Sequence, residues 1–406
     1  MSVSEPIVDQ TSTTETDRLA SGAVKPLRRD DFDRDVWCLM GLAVDAMDIT
    51  RAVAEIDDAV RSGRSVSFVT PNVNFLVRAM KDKSARREIL NADLSLVDGA
   101  PLVAMAKMLG VPVQSRVAGS DLFEALRRRP GFAGRKLKVF FFGGRAGAAE
   151  KAVEAINSER GGLEAVGWHN PGYGDVESMS SDEVIAKINA CEPDFVLVAL
   201  GAAKGQSWIE FNRHRLTAPV TAHLGAVIDF TAGGVARAPG WVQRTGLEWA
   251  WRIKEEPSLW RRYFTDAIAL AGLAFRRLAP QLARARAVEG AATADIENMA
   301  GQVRIQLTGE IGRGSLKPIR DAFRAAAAGG RPVLLDLTGV KAIDRSFLGQ
   351  VLMLEKHLGR SGAEISLYGA NARVDALFCA NNMSYPRVIA EKTPVREDAA
   401  AHRAAV

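Results

Sequence analysis

The chain has 406 residues, 47% hydrophobic and 25% charged, with a formal net charge of +5. Its length exceeds one typical hydrophobic core and predicts two domains plus tails. Cys38, Cys191 and Cys379 are widely spaced with no CxxC pair, which argues against a disulfide framework or zinc site and fits a reducing cytoplasm. No stretch approaches the ~20 apolar residues needed to span a bilayer. Residues 1–30 are rich in Ser, Thr, Asp and Glu, have no signal-peptide core, and are expected to lack fixed structure. Order is expected to begin near Trp37, where VWCLMGLAV reads as a strand or an entrance loop. Thr50 reads as the N-cap of the helix RAVAEIDDAV.

The stretch from Thr70 to Asp121 is the organising centre of the chain. Twice an apolar run ends abruptly in polar residues, SVSFV into Thr70-Pro71-Asn72 and LSLV into Asp98-Gly99, and each turn leads into an amphipathic helix. In an open parallel sheet such turns gather at the carboxyl ends of the strands, where ligands bind. Thr70, Asn72 and Asp98 are therefore expected to share one crevice, although Thr70 and Asp98 are 28 positions apart. Asp98 reads either as a general base or as a helix N-cap. KLKVFFFGG repeats the pattern, and Gly143 and Gly144 would let backbone N–H groups approach a phosphate or ribose, or only let strand and helix pack closely. PDFVLVALG, ending at Gly201, and TAHLGAVIDF, containing Asp229, obey the same logic. The sequence has no GxxxxGK[ST] phosphate loop.

From Arg237 the character changes. Between Arg237 and Arg286 ten Lys or Arg face four Asp or Glu, a net +6, and five of the seven tryptophans lie between Trp208 and Trp260. Cations interleaved with Trp, Tyr and Leu at helical spacing suit a helix lying in a lipid headgroup region. The alternative is ordinary helices that pack Trp on the core and expose Arg. Nucleic acid does not fit the rest of the architecture. Residues 287–300 read as a linker, 301–395 as a second α/β domain, and 396–406 as a disordered tail.

TPNxxFL, ADLxLxDG and RVAGSDL resemble the signature of the WecG/TagA/CpsF glycosyltransferases (glycosyltransferase family 26), and the similarity continues to about Leu270. The resemblance implies a Rossmann-like core (31–236) with a basic membrane-associating appendage (237–286). It marks Asp98 as the base, and Thr70 and Asn72 as holding sugar hydroxyls or acceptor. Asn74 and Arg116 match family positions, Arg116 offering a cation to the diphosphate. Gly99, Ser120, Asp121, Gly143, Gly144, Gly201, Gln206 and Asp229 complete the expected substrate contacts, although Asp121 equally suits a helix cap. No cofactor is expected, and no metal: DxD occurs only near the N-terminus, in Asp33-Arg34-Asp35 and the overlapping Asp31-Phe32-Asp33. Arg237, Arg244, Arg252, Arg261 and Arg262 would replace the metal or face lipid. The implied reaction is inverting transfer from a UDP-sugar, N-acetylmannosamine-like or related, to a polyprenyl-diphosphate-linked saccharide. It would take place at the cytoplasmic membrane face, in exopolysaccharide or surface-glycan synthesis. The competing expectation is a non-catalytic nucleotide-sugar-binding regulator. One departure bears on it. Where the family reads G-x-P-K-Q-E-x-W-I, this chain has Ala203, Gly205 and Gln206 for Pro, Gln and Glu, which loses a polar contact or moves it to Gln206.

The segment TGEI, VLLDLTGVKAID and the helix after Asp344 is similar to a STAS domain, the fold of anti-sigma factor antagonists. Ser346 aligns with the serine phosphorylated in regulatory members, flanked here by Arg345 and Phe347 instead of small residues. An exposed Ser346 at a helix N-terminus, a regulatory or docking role and a protein partner are the resulting expectations, with simple helix capping as the alternative.

Overall fold

The computed structural model describes residues 30–282 and 288–388; the expected disordered tail, and all but Asp30 of the expected disordered N-terminus, lie outside them. The Trp37 stretch is a hairpin, β1 (Val36–Leu39) and β2 (Leu42–Asp45), closed by Met40 and Gly41, both with positive φ. Helix α1 (Ile49–Ser62) is capped by Asp48, whose side chain accepts from Arg51 N, so Thr50 lies inside the helix. The Asp48 carboxylate, two residues upstream, takes the free N–H group.

The core continues with β3 (Val66–Val69), α2 (Val73–Lys81), α3 (Lys83–Asn91), β4 (Leu94–Ser95), α4 (Ala100–Met108) and α5 (Gly119–Arg128). Then come β5 (Leu137–Gly143), α6 (Ala148–Ser158), β6 (Leu163–His169), α7 (Asp182–Ala190), β7 (Phe195–Ala199), α8 (Ala202–Asn212), β8 (Val220–His223) and α9 (Val227–Thr231). The strands form one parallel sheet in the order β4-β3-β8-β7-β5-β6. Apolar runs such as Phe140–Phe142 and Phe195–Val198 are fully buried because helices cover both faces.

The appendage is α10 (Gly240–Thr245), α11 (Glu248–Glu255) and α12 (Trp260–Leu273), which passes through a π-helical turn (Ala274–Leu278) into α13 (Ala279–Leu282). The second domain contains β9 (Ala292–Asn298), β10 (Val303–Ile311), α14 (Leu316–Ala328), β11 (Val333–Ile343), α15 (Arg345–Arg360), β12 (Ile365–Tyr368) and α16 (Ala372–Ala380), with sheet order β12-β11-β10-β9. Residues 292–298, expected within a linker, form an edge strand paired antiparallel with β10. The alternation Thr293, Asp295, Glu297 is that of a half-solvated strand, which composition alone presents as a polar linker.

The two domains share a core. Phe32, Val36, Cys38, Ala43 and Leu90 pack with Ile305, Leu335, Phe347 and Leu352 of the second domain. At Gly349 helix α15 rests on β1 so closely that a Cβ would come 2.2 Å from Val36 O. A buried ion cluster lies beside it. Arg34 pairs with Asp31 and Asp45 at 2.7 Å each, Lys356 of α15 with Asp31 at 2.9 Å and Asp93 at 3.5 Å, and Arg213 with Asp93 at 2.5 Å. Three cations thus meet three carboxylates across the domain boundary. The DxD carboxylates serve the same boundary, Asp33 binding Arg324 and Asp35 binding Arg313, each at 2.8 Å.

This packing corrects the expectation for Ser346. It is 1% exposed, and its hydroxyl donates to Asp344 Oδ1 at 2.5 Å while the same oxygen caps α15. Helix α15 is covered on one side by its own sheet and on the other by β1, so its first turn is closed to a kinase.

Candidate active site

The three sequence blocks meet at the carboxyl ends of β3 and β4. Leu96 N donates to Val69 O, Asp98 N to Pro71 O and Val117 N to Val97 O, each at 2.9 Å. Gly119 opens α5 against Thr70. A Cβ there would lie 3.4 Å from Thr70 Oγ1 and 2.3 Å from Leu224 Cδ2. Thr70 and Asp98 therefore border one crevice.

Asp98 is half-buried and is not a helix cap. Gly99, at φ 92°, holds the N-cap position of α4 and leaves the preceding carboxylate outside the helix. Burial pushes the Asp98 pKa up to about 7; Arg116 pulls it down, while Glu248 and Asp121 add to the rise. Arg116 binds Asp121 Oδ2 at 2.7 Å and the Glu248 carboxylate, and Arg237 binds Asp121 Oδ1. Asp121 thus holds two arginines instead of capping α5. Ser120 is half-buried in the first turn of that helix.

Other expected residues stand differently. Asn72 Oδ1 caps α2, accepting from Asn74 N at 3.1 Å and Phe75 N at 3.4 Å. Asn74 reaches the buried Asp266 carboxylate of α12 at 3.2 Å, joining core to appendage. Gly143 and Gly144 serve close packing, since a Cβ at Gly143 would meet Ala199 O at 2.6 Å and one at Gly144 would meet Ile228 at 3.0 Å. Gly201, φ 82°, begins α8. Gln206 is buried and turned from the crevice, its amide nitrogen 3.5 Å from Glu88 O on α3. That corrects the expectation that it inherits a pocket contact.

A second charged group closes the rim near α9. Arg145 lies 3.6 Å from Asp229 and binds Glu256, and Arg252 binds Glu256 at 2.8 Å while its guanidinium sits 5.1 Å from the Phe230 ring centre. Burial raises the Asp229 pKa, with Arg145 opposing. Arg261 and Arg262 are exposed on α12, stacked on Trp260 and Tyr263, and the Arg244 side chain lies outside the described residues. Of the expected appendage arginines, Arg237 alone binds the Asp121 network directly among the described residues.

Glu248, Asp266 and Arg145 escaped the sequence reading. Glu248 is an acid in a basic stretch, and no spacing rule ties it to Arg116, 132 positions away. On α12 the opposite face carries Trp260 (51% exposed), Phe264 (58%) and Ile268 (58%), at i, i+4 and i+8, continued by Phe275 (82%). No helix among the described residues is long and apolar enough to cross a membrane.

Residues 37–284 match the Glycosyl transferase WecG/TagA/CpsF family and residues 296–384 match the Mlab, STAS domain. Two relatives share 32% identity. One, from Bacillus spizizenii, aligns over 53% of this chain and 81% of its own length, and the other, from Bacillus subtilis, over 49% and 75%. Both are N-acetylglucosaminyldiphosphoundecaprenol N-acetyl-beta-D-mannosaminyltransferases. A solved structure of SsGBP with GDP covers 60% of this chain and 86% of its own at 13% identity, with a TM-score of only 0.20.

Proposed function

This chain belongs to the WecG/TagA/CpsF family of glycosyltransferases and carries a C-terminal STAS domain, and from that premise we propose its reaction. A sugar, N-acetylmannosamine or a relative, moves from a UDP-sugar to a polyprenyl-diphosphate-linked saccharide, feeding an exopolysaccharide or another surface glycan. The observation that carries the reading is Asp98, a carboxylate held at about 7 beside Arg116 in the crevice where the three blocks converge.

A base whose pKa lies near working pH accepts a proton with the least loss of either ionised fraction or driving force. The acceptor hydroxyl loses its proton to Asp98 as its oxygen attacks the anomeric carbon. The bond from that carbon to the UDP oxygen breaks on the opposite face, so configuration inverts and UDP leaves with the electron pair. Positive charge for the departing diphosphate comes from Arg116 and Arg237, which exchange their Glu248 and Asp121 partners for phosphate oxygens, so no metal is required.

The lipid-linked acceptor fits the stripe of Trp260, Phe264, Ile268 and Phe275, which enters the headgroup layer at the cytoplasmic membrane face with Arg261 and Arg262 beside it. The STAS domain works in cis, holding β1 and the end of the appendage. Acceptor-dependent UDP release, measured against a panel of UDP-sugars with a short-chain lipid-diphosphate saccharide, tests the reading. One donor should give turnover. Release from none of them in the presence of acceptor and vesicles would overturn it.

A further inference from the structure

Gly205 lies in the first turn of α8, at the position where the family pattern carries glutamine. It is buried, and a Cβ on it would lie 2.0 Å from His223 Cδ2 and 2.7 Å from Cγ. No real side chain fits at that distance. The imidazole of His223 therefore fills the space that a longer residue at 205 would take.

His223 ends β8 and pairs with Val198 of β7. The next residue, Leu224, faces Gly119 and the Thr70 wall of the crevice, so strand alternation sends His223 to the α2–α8 side of the same strand end. Its Nε2 is buried and has no hydrogen-bond partner. An added Cβ at Gly205 would lie 2.8 Å from it, and Gly225 is its other glycine neighbour. That residue is exposed, and even an added Cβ would stay 3.4 Å from Nε2. Burial, with the charge of Arg78 adding, holds the imidazole pKa down to about 4, so at neutral pH the ring is uncharged and offers one hydrogen bond at Nε2. Leaving a buried polar nitrogen unpaired is costly, because it loses its bond to water and gains none in return. A ligand reaching this strand end can supply the missing partner.

We propose that His223 is a specificity-determining residue that replaces the side chain missing at Gly205 and hydrogen-bonds a hydroxyl or acetamido group of the donor sugar through Nε2. The proposal rests on the transferase reading but concerns donor binding, which is measured separately from transfer.

The test compares affinities for UDP and for each UDP-sugar by calorimetry in the full-length protein. His223→Phe keeps the ring volume and removes the nitrogen. It should leave UDP affinity unchanged and cut the preference for the best UDP-sugar over UDP about tenfold, the scale of one lost hydrogen bond. An unchanged preference overturns the proposal, as does a wild-type protein that binds no UDP-sugar more tightly than UDP. A second set guards against misfolding of that variant. Gly205→Gln alone should destabilise the protein, whereas Gly205→Gln with His223→Gly should fold and show a different donor preference. Gly205→Gln as stable as wild type would refute the claim that the ring fills that volume. Donor binding without acceptor-dependent UDP release would instead refute the transferase reading and leave the assignment of His223 intact.

Discussion

Arg345 donates from Nη2 to Gln281 Oε1 at 2.7 Å and from Nη1 to Leu109 O at 2.9 Å, joining the STAS domain to the last helix of the appendage and to the end of α4. Asn381 Nδ2 reaches the same Gln281 oxygen at 3.3 Å. The residue beside the aligned serine is thus a structural tie. It holds the far end of the segment whose near end brings Glu248 and Arg237 to the crevice.

Arg345→Ala should therefore destabilise the protein by about 2–4 kcal/mol, through the loss of two charge-assisted hydrogen bonds, with Leu109 O left unpaired and Gln281 Oε1 keeping only Asn381. Lys should rescue it poorly, since an ammonium cannot span both acceptors in one plane. Urea unfolding measures the loss, and proteolysis should cut first near α12 and α13. A change within about 0.5 kcal/mol, the range of an ordinary surface substitution, would show that the tie is dispensable.

Asp98→Asn should remove most transfer, on the order of 10²–10⁴-fold, with UDP binding retained. It should also stabilise the fold. The folded carboxyl has a pKa of about 7, raised above its unfolded value near 4, so its ionisation lowers stability progressively as pH rises from about 4 to about 7 and by a constant amount above that. The variant should melt a few degrees higher at pH 8 and equally at pH 4. Equal melting at both values would mean that the carboxylate is not strained by burial.

The acid limb of kcat/KM should sit near pH 7 and move in opposite directions in two neighbours. Glu248 raises the Asp98 pKa and Arg116 lowers it, so Glu248→Gln should shift the limb down and Arg116→Ala should shift it up. Stopped-time UDP release across pH 5–9 resolves the two. Shifts of the same sign would remove Asp98 as the group that titrates.

Replacing Trp260, Phe264 and Ile268 together by Ser should release the protein from anionic vesicles while leaving its melting temperature nearly unchanged, because these side chains face away from the core. Vesicle sedimentation decides this, and retained binding would place lipid contact elsewhere. Binding by the unaltered chain should fall with salt, since each cation near the surface contributes about 1 kcal/mol of screened attraction.

Acid should loosen the domain boundary. The cations Lys356 and Arg34 hold the Asp31 carboxylate well below its usual range against the cost of burial, and Lys356 and Arg213 lower Asp93. Their stabilisation is complete above the unfolded carboxyl range near 4 and is lost as pH falls through the lower folded values. Lys356→Met should cost about 3–5 kcal/mol at neutral pH by removing a buried cation shared by Asp31 and Asp93 and leaving the cluster with an excess carboxylate. Thermal melts of both proteins from pH 2 to 7 should converge at the acid end.

Local pattern determined a good deal of this protein. Apolar runs that stop at Thr70 and Asp98 dictate strand, turn and helix, and parallel strands place such turns at one edge, so the crevice comes from short-range order. Capping also obeys local rules, but Asp48 and Thr50 compete within two residues, and only the actual helix start settles which side chain meets the free N–H groups. Long-range pairing was decided by the tertiary structure alone. Whether Asp98 caps or titrates depended on Gly99 taking the cap and on burial beneath Arg116, Asp121 and Glu248. Whether Ser346 faces a kinase or a neighbouring strand depended on β1 packing against Gly349. The same holds for Gly205, whose meaning lies in an imidazole 18 residues downstream. Sequence periodicity reports which face of an element is apolar, and it carries no information on which partner covers that face or which charge is brought beside it.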